Sequence, residues 1–305
     1  MRLKLLLTLS LLLLTPACSV VSDLITPTPT LLVIQTETPT PVPQLTEAAL
    51  KNATYTLTGF DGSSAAYQFV DGKYNHATDP AAPDFVDIRL LDFLPFGDLN
   101  EDGFDDAAVL IAANYGGTGV FVTLAAVLNV DGQPRHVAST TVDDRPQINA
   151  LEIRDGTIIL DAVVHSFDDP GCCPTFAVTR AYKIVGPSLT LVNAASQTPA
   201  GRPRVIAIEE PLDGAEVSGA LVIRGNVTIA PFENNLSFRA YTEQGNELSS
   251  GPVPVTAPDL GAPGTFAVTL DLSAFPPGRL YIEIADLSAA DGSVLALATV
   301  MVVVR

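Results

Sequence analysis

The stretch "AAVLIAANYGGTGVFVTLAAVLNV", Ala107 to Val130, holds the fold in small compass. Two long apolar runs rich in Val, Leu, Ile and Ala flank the pair Gly116-Gly117, which reads as two β-strands joined at a turn. The same grammar extends in both directions. Turn pairs recur at Asp71-Gly72, Asp131-Gly132, Asp155-Gly156 and Gly186-Pro187, each between β-rich runs such as "AAYQFV" and "KYNHAT", or "QINALEI" and "TIILDAVV". A Gly that accepts positive φ, set between such runs, is a hairpin signal. One short helix is expected before them, over Glu47 to Leu50, with Thr46 as its cap. Residues 46–193 therefore read as one antiparallel β domain.

Immediately before the apolar pair stands "FGDLNEDGFDD", Phe96 to Asp106, with five acidic side chains between Asp98 and Asp106. Laid on the offsets of a calcium loop, positions 1, 3 and 5 are Asp98, Asn100 and Asp102. Gly103 makes the sharp turn, Phe104 offers a backbone carbonyl and Asp106 stands at position 9. Val109 occupies the place of the bidentate acid of an EF-hand, and strands rather than helices flank the loop, so it is not an EF-hand. The stretch resembles the calcium loop of FG-GAP repeats. That resemblance implies a structural calcium held by Asp98, Asn100, Asp102 and Asp106 side chains and the Phe104 carbonyl, while Glu101 and Asp105 point elsewhere. The alternative is an Asx-rich turn with Gly103 in the left-handed region.

Further on, "AASQTPAGRPR", Ala194 to Arg204, reads as a linker, and residues 205–305 continue in short strands with frequent Gly and Pro turns. About seven strands in roughly 100 residues point to an immunoglobulin-like β-sandwich. Pro211, Gly214, Val217, Ser218, Gly219, Leu221, Ile223 and Gly225, then "FEN" at Phe232 to Asn234, Gly245 and "GTFAVTLDL" from Gly264, resemble the bacterial spore-germination immunoglobulin-like domain. The resemblance implies a fold and an extracytoplasmic setting, and no catalytic residues. The N-terminal half is similar to a recurrent bacterial lipoprotein module through "LKNATY", "DGKY", "FGDLNEDGFDDAAV", "GGTGVFV" and "CCP"; no activity attaches to that module.

The first residues, "MRLKLLLTLSLLLLTPAC", pair a basic start at Arg2 and Lys4 with an apolar run from Leu5 to Leu14, too short to span a bilayer. Residues 1–17 read as an export signal. "LTPAC" resembles a lipobox, which implies cleavage before Cys18 and lipid on its sulfur; the alternative is ordinary secretion, since "TPA" also suits a signal peptidase. Thr26 to Pro43, "TPTPTLLVIQTETPTPVP", has too much proline for helix or sheet and favours polyproline II, so residues 18–45 read as a lipidated N-terminus and stalk. With Cys18 acylated, Cys172 and Cys173 remain, expected to be bonded to each other in an oxidising compartment. Neighbouring Cα atoms lie closer than ordinary disulfides allow, so that bond should reduce readily.

The formal net charge is −18, which argues against nucleic acid and against electrostatic attachment to anionic lipid. Of the histidines His76, His136 and His165, only His165 lies beside a serine and acids, in "HSFDD". No Gly-x-Ser-x-Gly elbow, zinc-protease helix, phosphate loop or dinucleotide fingerprint accompanies it. The expectation is an all-β, non-catalytic, lipid-anchored protein facing the extracytoplasmic side, with an envelope polysaccharide or protein as partner and the membrane reached only through the anchor. The alternative is a secreted hydrolase with a site near His165, Asp168 and Asp169.

Overall fold

The computed structural model of the chain describes residues 43–59 and 62–305. The expected export signal, Cys18 and nearly all of the proline-rich stalk lie outside the described residues. Helix α1 (Glu47–Lys51) comes first. Thr46 caps it, its hydroxyl oxygen accepting the Ala49 N–H at 3.1 Å. Strands β1 (Thr54–Thr58), β2 (Ser64–Gln68), β3 (Lys73–His76), β4 (Val86–Leu90), β5 (Phe96–Gly97), β6 (Asp106–Asn114), β7 (Phe121–Val130) and β8 (Gln133–Asp144) follow. Then come β9 (Gln147–Arg154), β10 (Thr157–Val164), β11 (Phe176–Val185) and β12 (Ser188–Gln197). All pairings among these strands are antiparallel.

The apolar runs around Gly116-Gly117 are β6 and β7, the centre of a sheet ordered β3-β4-β6-β7-β8. The reason for their unbroken hydrophobicity is that both faces are covered. Ala108, Leu110 and Ala112 of β6 join Leu124 of β7 in a core shared with Leu151 of β9, Ile158 and Leu160 of β10 and Tyr182 of β11. Ala107, Val109, Ile111 and Ala113 face the opposite way, into a second core with Leu50 of α1, Tyr55 and Leu57 of β1, and Phe69. The elements from α1 to β12 thus form three layers, with the β3-to-β8 sheet in the middle. By contrast β10 buries only alternate residues, as befits a strand with one covered face.

The turn signals hold at Asp131-Gly132 and Asp155-Gly156, which link β7 to β8 and β9 to β10 with positive φ at both residues. At Asp71-Gly72 the expected hairpin does not form as read. A single bridge, Val70 to Lys73, spans the turn, but β2 pairs with β1 and β3 with β4. The divergence has a local cause: the Gly72 N–H donates to Lys51 O at 2.7 Å and its carbonyl accepts the Leu90 N–H at 2.9 Å, so the turn is tied to α1 and β4.

The stretch read as a linker, 194–204, is regular structure at both ends. Ala194 to Gln197 finish β12, and β13 (Pro203–Arg204) pairs back onto Ser196 and Gln197. The C-terminal strands are β14 (Ile206–Glu210), β15 (Ala215–Val217), β16 (Ala220–Val227), β17 (Asn235–Thr242), β18 (Glu247–Thr256), β19 (Gly264–Asp271), β20 (Gly278–Leu287) and β21 (Val294–Val304). β14, β16 and β19 face β17, β20 and β21 across one core containing Ile223, Phe238, Phe266, Ile282 and Val302, with β18 pairing to both sides. This is an immunoglobulin-like sandwich. β15 runs parallel to β21. Among the described residues no helix is long and apolar enough to cross a membrane.

Candidate functional site

The acidic loop closes a hairpin, since Phe96 and Gly97 of β5 pair with Ala107 and Asp106 of β6. Asp98 organises it. Its Oδ1 accepts N–H donors from Glu101 at 2.6 Å, Asn100 at 3.2 Å and Asp102 at 3.3 Å, and its Oδ2 accepts from Gly103 at 2.8 Å. Burial raises the Asp98 carboxyl, but the N–H donors of Gly103, Glu101, Asn100 and Asp102 outweigh it and hold the group below the ordinary carboxylate value. Asn100 Oδ1 accepts the Asp102 N–H, and Asn100 Nδ2 donates to Asp102 Oδ2 at 2.8 Å. Gly103 has φ +87°, as a left-handed turn position requires. Glu101 and Asp105 are exposed.

Asp106 differs from the others. It is fully buried, and its two oxygens accept the N–H groups of Leu99 at 2.9 Å and Asn129 at 2.8 Å. It ties the loop to β7. Burial pushes its carboxyl up, against those two hydrogen bonds, and the neighbouring Asp102 and Asp98 push it the same way. Among the described residues no group of three or more His, Cys, Asp or Glu side chains is placed to hold a metal ion. What remains of the predicted donor set is hard oxygen throughout, with Asn100 and the Phe104 carbonyl adding neutral donors.

The second predicted cluster is rearranged by the fold. His165 follows the end of β10, and its partner is Asp143 near the end of β8: Nδ1 lies 2.9 Å from Asp143 Oδ2, which also accepts the His165 backbone N–H. That hydrogen bond raises the imidazole above its usual value, against partial burial. Asp169 is engaged elsewhere, accepting the N–H groups of Ser166 at 2.8 Å and Thr175 at 2.7 Å and the Thr175 hydroxyl at 2.8 Å. The Ser166 N–H leads the donors that bring its carboxyl down to about 2. Asp168 is exposed. The acid that hydrogen-bonds His165 is thus Asp143, while Asp168 is exposed and Asp169 latches its own loop. His165 Nε2, the nitrogen that would take a proton from a nucleophile, is buried with no hydrogen-bond partner. Asp143 lies 22 residues upstream and was missed, because only the packing of β8 beside β10 brings it there.

Cys172 and Cys173 sit exposed at the tip of the loop latched by Asp169, their Cα atoms 3.8 Å apart and their sulfurs turned to each other. The Cys173 N–H closes a turn onto Pro170 O at 2.9 Å.

These features describe an all-β protein whose C-terminal part is an immunoglobulin-like domain, a non-catalytic type of fold. Residues 205–293 match the family described as the immunoglobulin-like domain of bacterial spore germination, less than a third of the chain. No curated protein matches the chain.

Proposed function

We propose that the protein is a non-catalytic surface lipoprotein, anchored through Cys18, that holds a two-part β body on a proline-rich stalk and binds an envelope polysaccharide or protein on the extracytoplasmic side. The observation that carries this reading is the family match over residues 205–293, a domain type suited to envelope interaction rather than chemistry. In this reading residues 1–17 are removed, 18–45 are lipidated anchor and stalk, 46–193 form one domain and 205–305 the other, with 194–204 between. Two measurements test it. Intact mass of membrane-extracted protein should show a lipidated Cys18 as first residue; an unmodified N-terminus in the medium overturns the anchor. A pull-down with the protein against envelope polysaccharide and secreted proteins should retain a partner; capturing nothing overturns the binding role.

The acidic loop takes calcium as a structural ion in this proposal, through oxygens of Asp98, Asn100, Asp102 and Asp106 and the Phe104 carbonyl. Hard oxygen donors suit that ion. The carboxylates already accept backbone N–H groups, so the ion competes with them and binds weakly, at about 10⁻⁴ to 10⁻³ M as in extracellular modules. Millimolar calcium should then raise the melting temperature, chelator should lower it, and Asp102→Ala should erase the difference. A melting curve indifferent to both returns the loop to an acidic hairpin turn. Cys172 and Cys173 are bonded to each other in the exported protein, which mass mapping checks.

The rival reading, a secreted hydrolase, has one observation on its side, the contact of His165 with Asp143. Hydrolysis of an ester, peptide or glycoside that disappears in His165→Ala would establish it.

A further inference from the structure

We propose that His136 is an acid-sensitive latch: while its imidazole is neutral it holds strand β1 against β8, and on protonation it lets the layer made by α1, β1 and β2 loosen from the rest of the protein. The proposal goes beyond the reading of the chain as a binding lipoprotein and rests on no part of it. β1 and β2 form a two-stranded sheet of their own, and β1 lies against β8 with no ladder between them. A side chain joins the two instead. The Thr56 N–H of β1 donates to His136 Nδ1 of β8 at 3.1 Å, across 80 residues of sequence. The layer held in this way packs Leu50, Tyr55 and Leu57 onto Val109 and Ile111 of β6. It is the first part of the chain after the proline-rich stretch that ends at Pro43, so the latch governs how firmly that end of the protein holds to the rest.

Three observations make this bond sensitive to acid. First, a ring nitrogen that accepts a hydrogen bond carries no hydrogen, so the neutral imidazole holds its hydrogen on Nε2. A second proton enters at Nδ1, where it meets the Thr56 N–H. The acceptor becomes a donor, and the tie between β1 and β8 is lost. Second, the ring is enclosed. Nε2 is buried with no hydrogen-bond partner, and Tyr55 packs beside the ring, centroids 5.9 Å apart, its own hydroxyl donating to Leu50 O at 2.9 Å. Burial penalises the imidazolium and lowers its protonation below the ordinary value, against an opposing pull from the Ala138 backbone. Third, the elements packed on β8 offer no counter-ion. Glu47 and Lys51 of α1 pair with each other at 2.5 Å. β1, β7 and β12 carry no Asp, Glu, Lys or Arg, and Tyr55 is the titratable group that β1 contributes. Asp161 of β10 accepts from Asn149. Along β8 itself Arg135 is exposed, while Asp143 and Asp144 are engaged by His165 and Arg145. The latch is therefore closed above the ordinary imidazole value of about 6.5 and opens as pH falls through the lower folded one.

The test is amide hydrogen exchange of the full chain in detergent between pH 8 and pH 5, corrected for the intrinsic exchange rate and read beside an NMR titration of the histidines. On acidification the amides of β1, Thr54–Thr58, should lose protection by about fivefold or more, the effect of a backbone donor losing its acceptor, while those of β20 and β21 keep theirs. The His136 resonances should titrate below about 6.5, with the same midpoint as that loss. His136→Asn keeps an oxygen acceptor for Thr56 and takes up no proton, so its β1 protection should stay level across the range. Where that variant fails to fold, the shared midpoint in the wild type decides. Protection of β1 that ignores pH, a loss that follows His165 or His76 instead of His136, a His136 that titrates above its ordinary value, or an equal loss in His136→Asn would each overturn the proposal.

Discussion

Asn193 of β12 and Ala298 of β21 face each other across an antiparallel ladder, and with the next pair, Ala194 and Leu297, they join strands β9 to β12 and the β17-β20-β21 side of the immunoglobulin-like sandwich into one sheet. The junction follows a β-bulge. Opposite β11, the register steps from Asn193 to Leu191, leaving Val192 as the extra residue. A bulge bends and twists its strand. Here the end of β12 keeps β11 on one edge, from Asn193 to Ser196, and takes β21 on the other. The hairpin tip at Gly186 touches the immunoglobulin-like sandwich as well, where a Cβ would run into the carbonyl oxygen of Glu243.

Gly186→Ala should therefore loosen the junction. Its φ of +55° already disfavours a side chain by about 1–2 kcal/mol, and the Glu243 carbonyl blocks the methyl. Thermal unfolding should show a loss of about 2–3 kcal/mol, the upper part from that clash. Gly245→Ala, at φ +81° with open space around it, should show only the backbone share. Equal losses in the two variants would mean that the contact with Glu243 carries no weight.

Asp106→Ala strips the acceptor from the buried N–H groups of Leu99 and Asn129. Each orphaned donor costs about 1–3 kcal/mol, so urea unfolding should report a loss of about 2–6 kcal/mol. Asp105→Ala, one residue away and exposed, should change stability by less than about 0.5 kcal/mol. Similar values for both would show that the loop is not strung from Asp106.

Arg204 of β13 reaches Asp286 of β20 at 3.1 Å, with the Asp286 side chain almost wholly buried. Burial raises that carboxyl, while the Arg204 charge and hydrogen bond pull it down. Arg204→Ala leaves a buried charge without a partner and should cost about 3 kcal/mol at neutral pH. The sign of the pH dependence follows. A carboxyl whose folded value is raised favours the fold at low pH and loses that contribution as pH rises through the folded value. Without Arg204 the value rises further, so the variant's deficit should shrink on acidification. A deficit constant from pH 4 to 8 would place its origin elsewhere.

The hydrogen bond of His165 to Asp143 raises the imidazole, so the stabilisation is full below its ordinary value of about 6.5 and fades as pH climbs through the higher folded one. Asp143→Asn should flatten the stability profile between pH 6 and 9, and NMR titration should find His165 shifted down in that variant. An unaltered titration would exclude the pair as its cause.

Much of this architecture is legible along the chain. The Thr46 cap, the Asp-Gly turns after β7 and β9, and the strand rhythm of residues 205–305 are local features, set by backbone conformation and side-chain alternation within a few residues. So is the part of the acidic loop that Asp98 organises, whose amide donors lie within five positions of it. Other features were out of reach. The apolar run of β6 announces a buried strand, but not that Ala108 and Val109 belong to different cores. The Asp71-Gly72 turn carries a hairpin signal, yet the turn's bonds to Lys51 and Leu90 send its two strands into different sheets.

The order of strands, the acids of the loop and the immunoglobulin-like pattern are properties of the sequence by itself, because each rests on neighbours in the chain. Which acid meets His165, which faces of β6 and β7 are covered, and how His136 comes to receive the Thr56 N–H were decided only by tertiary structure. These are contacts across many tens of residues, specified by packing and by one bulge at Val192, and no local preference of the chain encodes them.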